Sequence, residues 1–129
     1  QKIAVTVTSL CPCSKEISEY GAHNQRGKLT VELRTRKDDQ GVPVTVPTGE
    51  IIDAAEESAS CRIYPVLKRP DERWVTMEAY ENPVFVEDMV RGVASRLIED
   101  ERITWFKVHA RNYESIHGHD AFASTTWSR

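Results

Sequence analysis

Along the first ten residues, Ile3, Val5 and Val7 alternate with Ala4, Thr6 and Thr8. A period of two in β-branched residues predicts a strand. It should stop at Leu10-Cys11-Pro12-Cys13, because proline has no N–H to give to a ladder. Ser14 reads as a helix N-cap, with Lys15 to Tyr20 as a short helix halted by Gly21. Leu29, Val31 and Leu33 alternate with Thr30, Glu32 and Arg34, which predicts a second, half-buried strand. Arg36 to Thr48 holds Asp-Asp-Gln-Gly and two prolines and reads as an exposed connection.

Ile51, Ile52, Ala55 and Ala59 keep helical spacing after Gly49. Lys68-Arg69-Pro70-Asp71 should break the chain. Asn82 is placed to cap the next helix with Pro83 at its first position, and Val86, Met89, Val90, Val93 and Leu97 form one apolar stripe along it. Ile103 to Val108 and Ala121 to Trp127 read as two further strands. The order β-β-α-α-β-β predicts an α+β fold with helices on one face of an antiparallel four-stranded sheet. Its two open edges invite pairing with another copy, so a homo-oligomer is expected.

Composition narrows the function classes. A chain of 129 residues fits one domain, here residues 1–129, with no linker or internal repeat. Lys and Arg number 17 against 20 Asp and Glu, for a net charge of −3. That sign argues against a nucleic-acid partner, which counterion release would favour only on a basic face. No apolar run approaches the roughly 18 residues of a membrane span, and the start lacks the apolar core of a secretory signal. A cytoplasmic chain is expected. Because it opens at Gln1 inside a strand, it is also expected to be part of a longer one.

Chemistry-bearing residues concentrate in two turn-rich segments. Cys11-Pro12-Cys13 is followed by His23, and Glu114-Ser115-Ile116-His117-Gly118-His119-Asp120 lies near the other end. Together they hold three of the four histidines and two of the three cysteines. Taken singly, each has an ordinary reading: two small buried thiols, or a polar turn. Taken together, thiol, imidazole and carboxylate match the donor set of zinc and similar ions. No Cys-x-x-Cys repeat of a structural zinc motif occurs, so a catalytic ion with an open position fits better. Glu72 reads as a solvated loop charge, Glu87 with Arg91 as a surface helix pair at i and i+4, and Cys61 as packing. Lys68 and Arg69 form a basic step suited to an anionic ligand, and Arg26 is a further candidate cation.

The run Ser9-Leu10-Cys11-Pro12-Cys13-Ser14-Lys15-Glu16-Ile17-Ser18, continuing through Tyr20-Gly21-Ala22-His23-Asn24-Gln25-Arg26-Gly27, closely resembles the signature of the prokaryotic type IB GTP cyclohydrolases. So does Glu114 to Ala121, where the family usually has Asn in place of Gly118, and so does the stretch Asn82 to Arg91. The resemblance implies a tunnelling fold, of which this chain would be the C-terminal module, with sites at subunit interfaces of a tetramer. It implies conversion of GTP and water to 7,8-dihydroneopterin triphosphate and formate, the first step towards tetrahydrofolate and queuosine. By motif, Cys11, His23, Glu72 and Glu114 match ligands of a divalent metal (zinc, manganese or iron). Cys13 matches a catalytically important cysteine, His117 and His119 an acid–base pair, and Glu87 the glutamate that anchors the purine.

The chemistry has a use for each group. Water must add at C8 of guanine, and a bound divalent ion lowers the pKa of water from 15.7 towards about 7 in favourable sites. Ring opening places charge on the imidazole nitrogens of the base, so a histidine must stand near to deliver a proton. A carboxylate suits the N1–H and N2–H₂ edge of guanine and rejects adenine, which offers an acceptor at N1. Two rival readings are a purine- or pterin-binding module of the same fold without turnover, and a structural metal or redox protein built on Cys11-Pro12-Cys13.

Overall fold

A computed structural model describes every residue from Gln1 to Arg129. The elements are β1 (Lys2–Leu10), α1 (Pro12–Ile17), β2 (Asn24–Thr35), α2 (Thr48–Glu56), β3 (Cys61–Arg62), α3 (Arg69–Glu81), α4 (Val86–Glu99), β4 (Ile103–Asn112) and β5 (Ala121–Ser128). All strand pairs are antiparallel, in the order β3-β1-β2-β4-β5. The α+β class and the antiparallel sheet are as expected, but the sheet has five strands rather than four, and there are four helices.

The core follows from the period-two patterns. Val5 and Val7, then Leu29, Val31 and Leu33, then Phe106, Val108 and Ala110 share one buried face. Onto that face α4 lays its stripe of Val86, Met89, Val90, Val93 and Leu97, beside Ile51 and Ala55 of α2. Burying side chains of this size stabilises by about 1.5–3 kcal/mol each.

The residues around the expected break need correction. Lys68 to Asp71 begin α3 instead of interrupting the chain: Pro70 sits in the first turn, where its missing N–H costs nothing, and the Lys68 N–H donates to Asp71 Oδ2 at 2.9 Å. Only Ala79 of this helix is buried, so it carries no apolar stripe for a sequence pattern to reveal. Asn82 does not cap α4, which starts at Val86 after Phe85. Its amide instead donates to the carbonyls of Ala59 (2.9 Å) and Ser60 (3.3 Å), tying the end of α3 to the α2–β3 turn. Cys61 lies on β3, where burial pushes its thiol pKa up. Ser14 is inside α1, not at its cap: the helix starts one turn early, with Pro12 at its first position. No helix is long and apolar enough to cross a membrane.

Candidate active site

Because β2 and β4 run antiparallel with Gly27 opposite Asn112, the start of β2 and the end of β4 lie side by side. The β1–β2 connection and the loop 113–120 therefore meet at one end of the sheet. The first of these is closed by its own backbone. Cys11 N–H donates to His23 C=O at 3.0 Å. Ser14 Oγ donates to Cys11 C=O and accepts from His23 N–H, each at 3.1 Å. Gly21, at φ +79°, supplies the left-handed residue on the return from α1. Cys11 and His23 are thus held together although eleven residues separate them. Across the second loop, the Arg111 guanidinium bonds Asp120 at 2.7 Å and pins the two ends.

Between these loops and the start of α4 lies a cavity of about 330 Å³. Cys11, Cys13, His23 and Glu114 line it, as do His117 and His119 from the loop and Glu87 from α4. One ligand atom each of His23, Glu114 and His117 lies within 4.8 Å of the others. His23 Nδ1 is 3.9 Å from Glu114 Oε2, and both side chains are 11% exposed. The His117 ring stands edge-on to both His23 and His119, with centroids 6.1 and 5.1 Å apart. Two imidazoles and a carboxylate converge here, and the thiols of Cys11 and Cys13 line the same cavity outside that group; donors of these kinds suit a divalent zinc, iron or manganese ion.

Glu72 is not brought to this cavity; it is exposed on the first turn of α3. Nor do Arg26, Lys68 or Arg69 line it. Glu87 does, on the exposed first turn of α4. The expected Glu87–Arg91 pair is not formed: Arg91 bonds Asp88 instead. The start of α4 is fixed from β1, since Val84 N–H donates to Leu10 C=O (3.1 Å) and Ser9 Oγ donates to Val84 C=O (3.0 Å).

Three polar residues that sequence reasoning passed over form the floor of the cavity. Ser9 near the end of β1, Gln25 near the start of β2 and Asn112 at the end of β4 are the inward-facing positions at this end of the sheet, continuing the buried faces of Val5–Val7, Gly27–Leu29 and Val108–Ala110. Ser9 stands directly opposite Gln25 in the ladder. Asn112 Nδ2 donates to Ser9 Oγ at 2.9 Å, and Gln25 Oε1 lies 2.8 Å from His23 Nδ1. The signal was available: a polar residue in phase with a buried apolar face marks where a core gives way to a site.

Thiol, imidazole and carboxylate side chains thus share one cavity at the end of an antiparallel sheet, with Glu87 of α4 at its rim, the concave and partly polar kind of place where an α+β domain takes a small molecule. Residues 1–123 match the model of the family described as type I GTP cyclohydrolase folE2, and the chain belongs to that family. It is 55% identical over 122 residues to GTP cyclohydrolase FolE2 of Nitrosococcus oceani, which covers 95% of this chain and 43% of that relative. The corresponding protein of Neisseria gonorrhoeae is 57% identical over 122 residues, covering 95% of this chain and 45% of its own. That of Caldicellulosiruptor bescii is 54% identical over 121 residues, covering 94% and 44%. The chain spans less than half the length of these relatives.

Proposed function

We propose that this chain forms the catalytic module of a GTP cyclohydrolase that converts GTP and water to 7,8-dihydroneopterin triphosphate and formate. The observation that carries the reading is the convergence of His23, Glu114 and His117 within 4.8 Å in a cavity also lined by Cys11 and Cys13. Family membership supports the same activity, and the relatives carry the name GTP cyclohydrolase.

Cys11, His23 and Glu114 are assigned to hold a divalent zinc, manganese or iron ion. When bound, that ion supplies a nucleophilic water near neutral pH. Glu87, on the cavity rim, accepts from N1–H and N2–H₂ of guanine and sets the base with C8 towards the histidines. His117 and His119 move protons to and from the ring nitrogens as the imidazole of the base opens and formate leaves. Cys13 lines the same wall and is assigned to the reacting side of the cavity. Glu72, matched by motif to the same ion, is exposed on α3 away from this cavity and is given no part in the site that this chain forms by itself. Assembly as a homo-oligomer of tunnelling-fold modules, with sites completed by neighbouring subunits, belongs to the same proposal.

The test is incubation of the chelated full-length protein with GTP and each metal in turn, following formate and the pterin fluorophore. Turnover should return with metal and fail with Cys11→Ala or His23→Ala. Full turnover in the metal-free protein overturns the metal assignment; nucleotide binding without formate release supports a binding module instead.

A further inference from the structure

Gln25 has no part in the chemistry above, yet it is 7% exposed and its carboxamide oxygen reaches a proposed metal ligand. Burial without a partner would cost about 1–3 kcal/mol, so the contact it makes there is informative. Oε1 of Gln25 lies 2.8 Å from His23 Nδ1, a good hydrogen-bond length. Glu114 Oε2, at 3.9 Å from the same nitrogen, is too far to compete. Ser115 Oγ lies 3.5 Å from Gln25 Oε1 on the side of the loop, which places a hydroxyl beside the oxygen and favours its orientation as acceptor.

A neutral imidazole carries one N–H and one lone pair, and the partner of one nitrogen decides the role of the other. With Nδ1–H donated to Gln25, the lone pair is on Nε2. We propose that Gln25 is a positioning residue that fixes the tautomer and ring plane of His23 and so selects Nε2 as the nitrogen presented to the divalent ion. This rests on the metal reading above. It also accounts for an amide here: the oxygen accepts the hydrogen bond without adding a second carboxylate beside Glu114.

The experiment uses the full-length protein with Gln25→Leu and Gln25→Glu. Cobalt(II) serves as the probe, its absorption reporting ligation and a competing chelator its affinity. Loss of a partner to a ligating histidine commonly weakens metal binding by about 10–100-fold. Gln25→Leu is expected to fall in that range. Gln25→Glu, which can only accept, should stay within about threefold of the parent, since carboxylate partners serve ligating histidines equally well. Cobalt affinity unchanged in Gln25→Leu, or Gln25→Glu as weak as Gln25→Leu, overturns the proposal. If either variant fails to fold, ¹⁵N shifts of the histidines in the metal-free parent decide it: Nδ1–H on His23 supports the assignment and Nε2–H sinks it. A parent that takes up no cobalt at all, or takes it up equally after His23→Ala, removes the metal reading itself rather than the role of Gln25.

Discussion

Gly27 lies directly beneath the carboxamide of Asn112: a Cβ at position 27 would meet Asn112 Oδ1 at 2.6 Å. The two residues are ladder partners, and Oδ1 is a buried oxygen with no hydrogen-bond partner. The close approach is possible only because position 27 carries no side chain. Asn112 cannot retreat freely, since its amide is bonded to Ser9. Gly27→Ala should destabilise by about 1–3 kcal/mol through overpacking, read as a lower urea midpoint with an unchanged slope. An Asn112→Ala change in the same chain should recover part of the loss, because it removes the atom that the new methyl meets.

Ser9 offers a separate test of how α4 is held. Its hydroxyl donates to Val84 and accepts from Asn112, just ahead of the helix that carries Glu87. Ser9→Ala should cost about 1–3 kcal/mol for the polar groups left unpaired. Under the proposed activity, in a GTP turnover assay of the full-length protein, it should raise KM more than it lowers kcat. A change confined to kcat would show that this bonding does not set the position of Glu87.

Glu87 is exposed, so replacing it should leave stability within about 0.5 kcal/mol. Its assigned role lies in reading the donor edge of guanine. Glu87→Ala is expected to lower kcat/KM for GTP by at least about 100-fold, because a site built around such hydrogen bonds loses that much or more when they are removed. Turnover near the parent level would separate Glu87 from base recognition.

The pH dependence of stability has an identifiable contributor away from the cavity. Hydrogen bonds from the Arg102 side chain hold the Asp100 carboxyl below the ordinary carboxylate range, with burial opposing them. Arg102 also reaches Glu50, joining α2 to the α4–β4 turn. A carboxylate with a lowered folded-state pKa contributes stability that is fully present above its unfolded value, about 3.9, and is lost as pH falls through the folded value. Arg102→Gln should therefore flatten the fall in stability below about pH 4 while lowering stability at neutral pH. Urea titrations at pH 3, 4 and 7 would show both effects, and an unchanged slope in acid would count against this pair.

Much of this architecture was legible from local pattern. β1, β2, β4 and β5 and the stripe of α4 follow from apolar periodicity, and the two chemical segments follow from their residue types. α3 escaped because a helix burying only Ala79 has no apolar face to betray it, and Pro70 looked like an ending when it is a beginning. β3 escaped because two residues are too few for a period. Of the residues that line the cavity, Cys11, Cys13, His23, Glu114, His117 and His119 were picked out by type, whereas Ser9, Gln25 and Asn112 were not, since amides and hydroxyls signal nothing until the strand phase shows them buried. Glu72 was read from its neighbours as a loop charge and stands instead on the first turn of α3, a helix that the pattern did not reveal.

The pairing of Gly27 with Asn112 also determines where this chain can change length over evolutionary time. An insertion or deletion of one residue within β2 or β4 would turn the inward side chains outward and separate the two loops in a single event. Added residues within the exposed turn from Asp38 to Val42 would touch neither the core strands nor the cavity. Divergent relatives should thus accumulate gaps in that turn and keep the two central strands free of them.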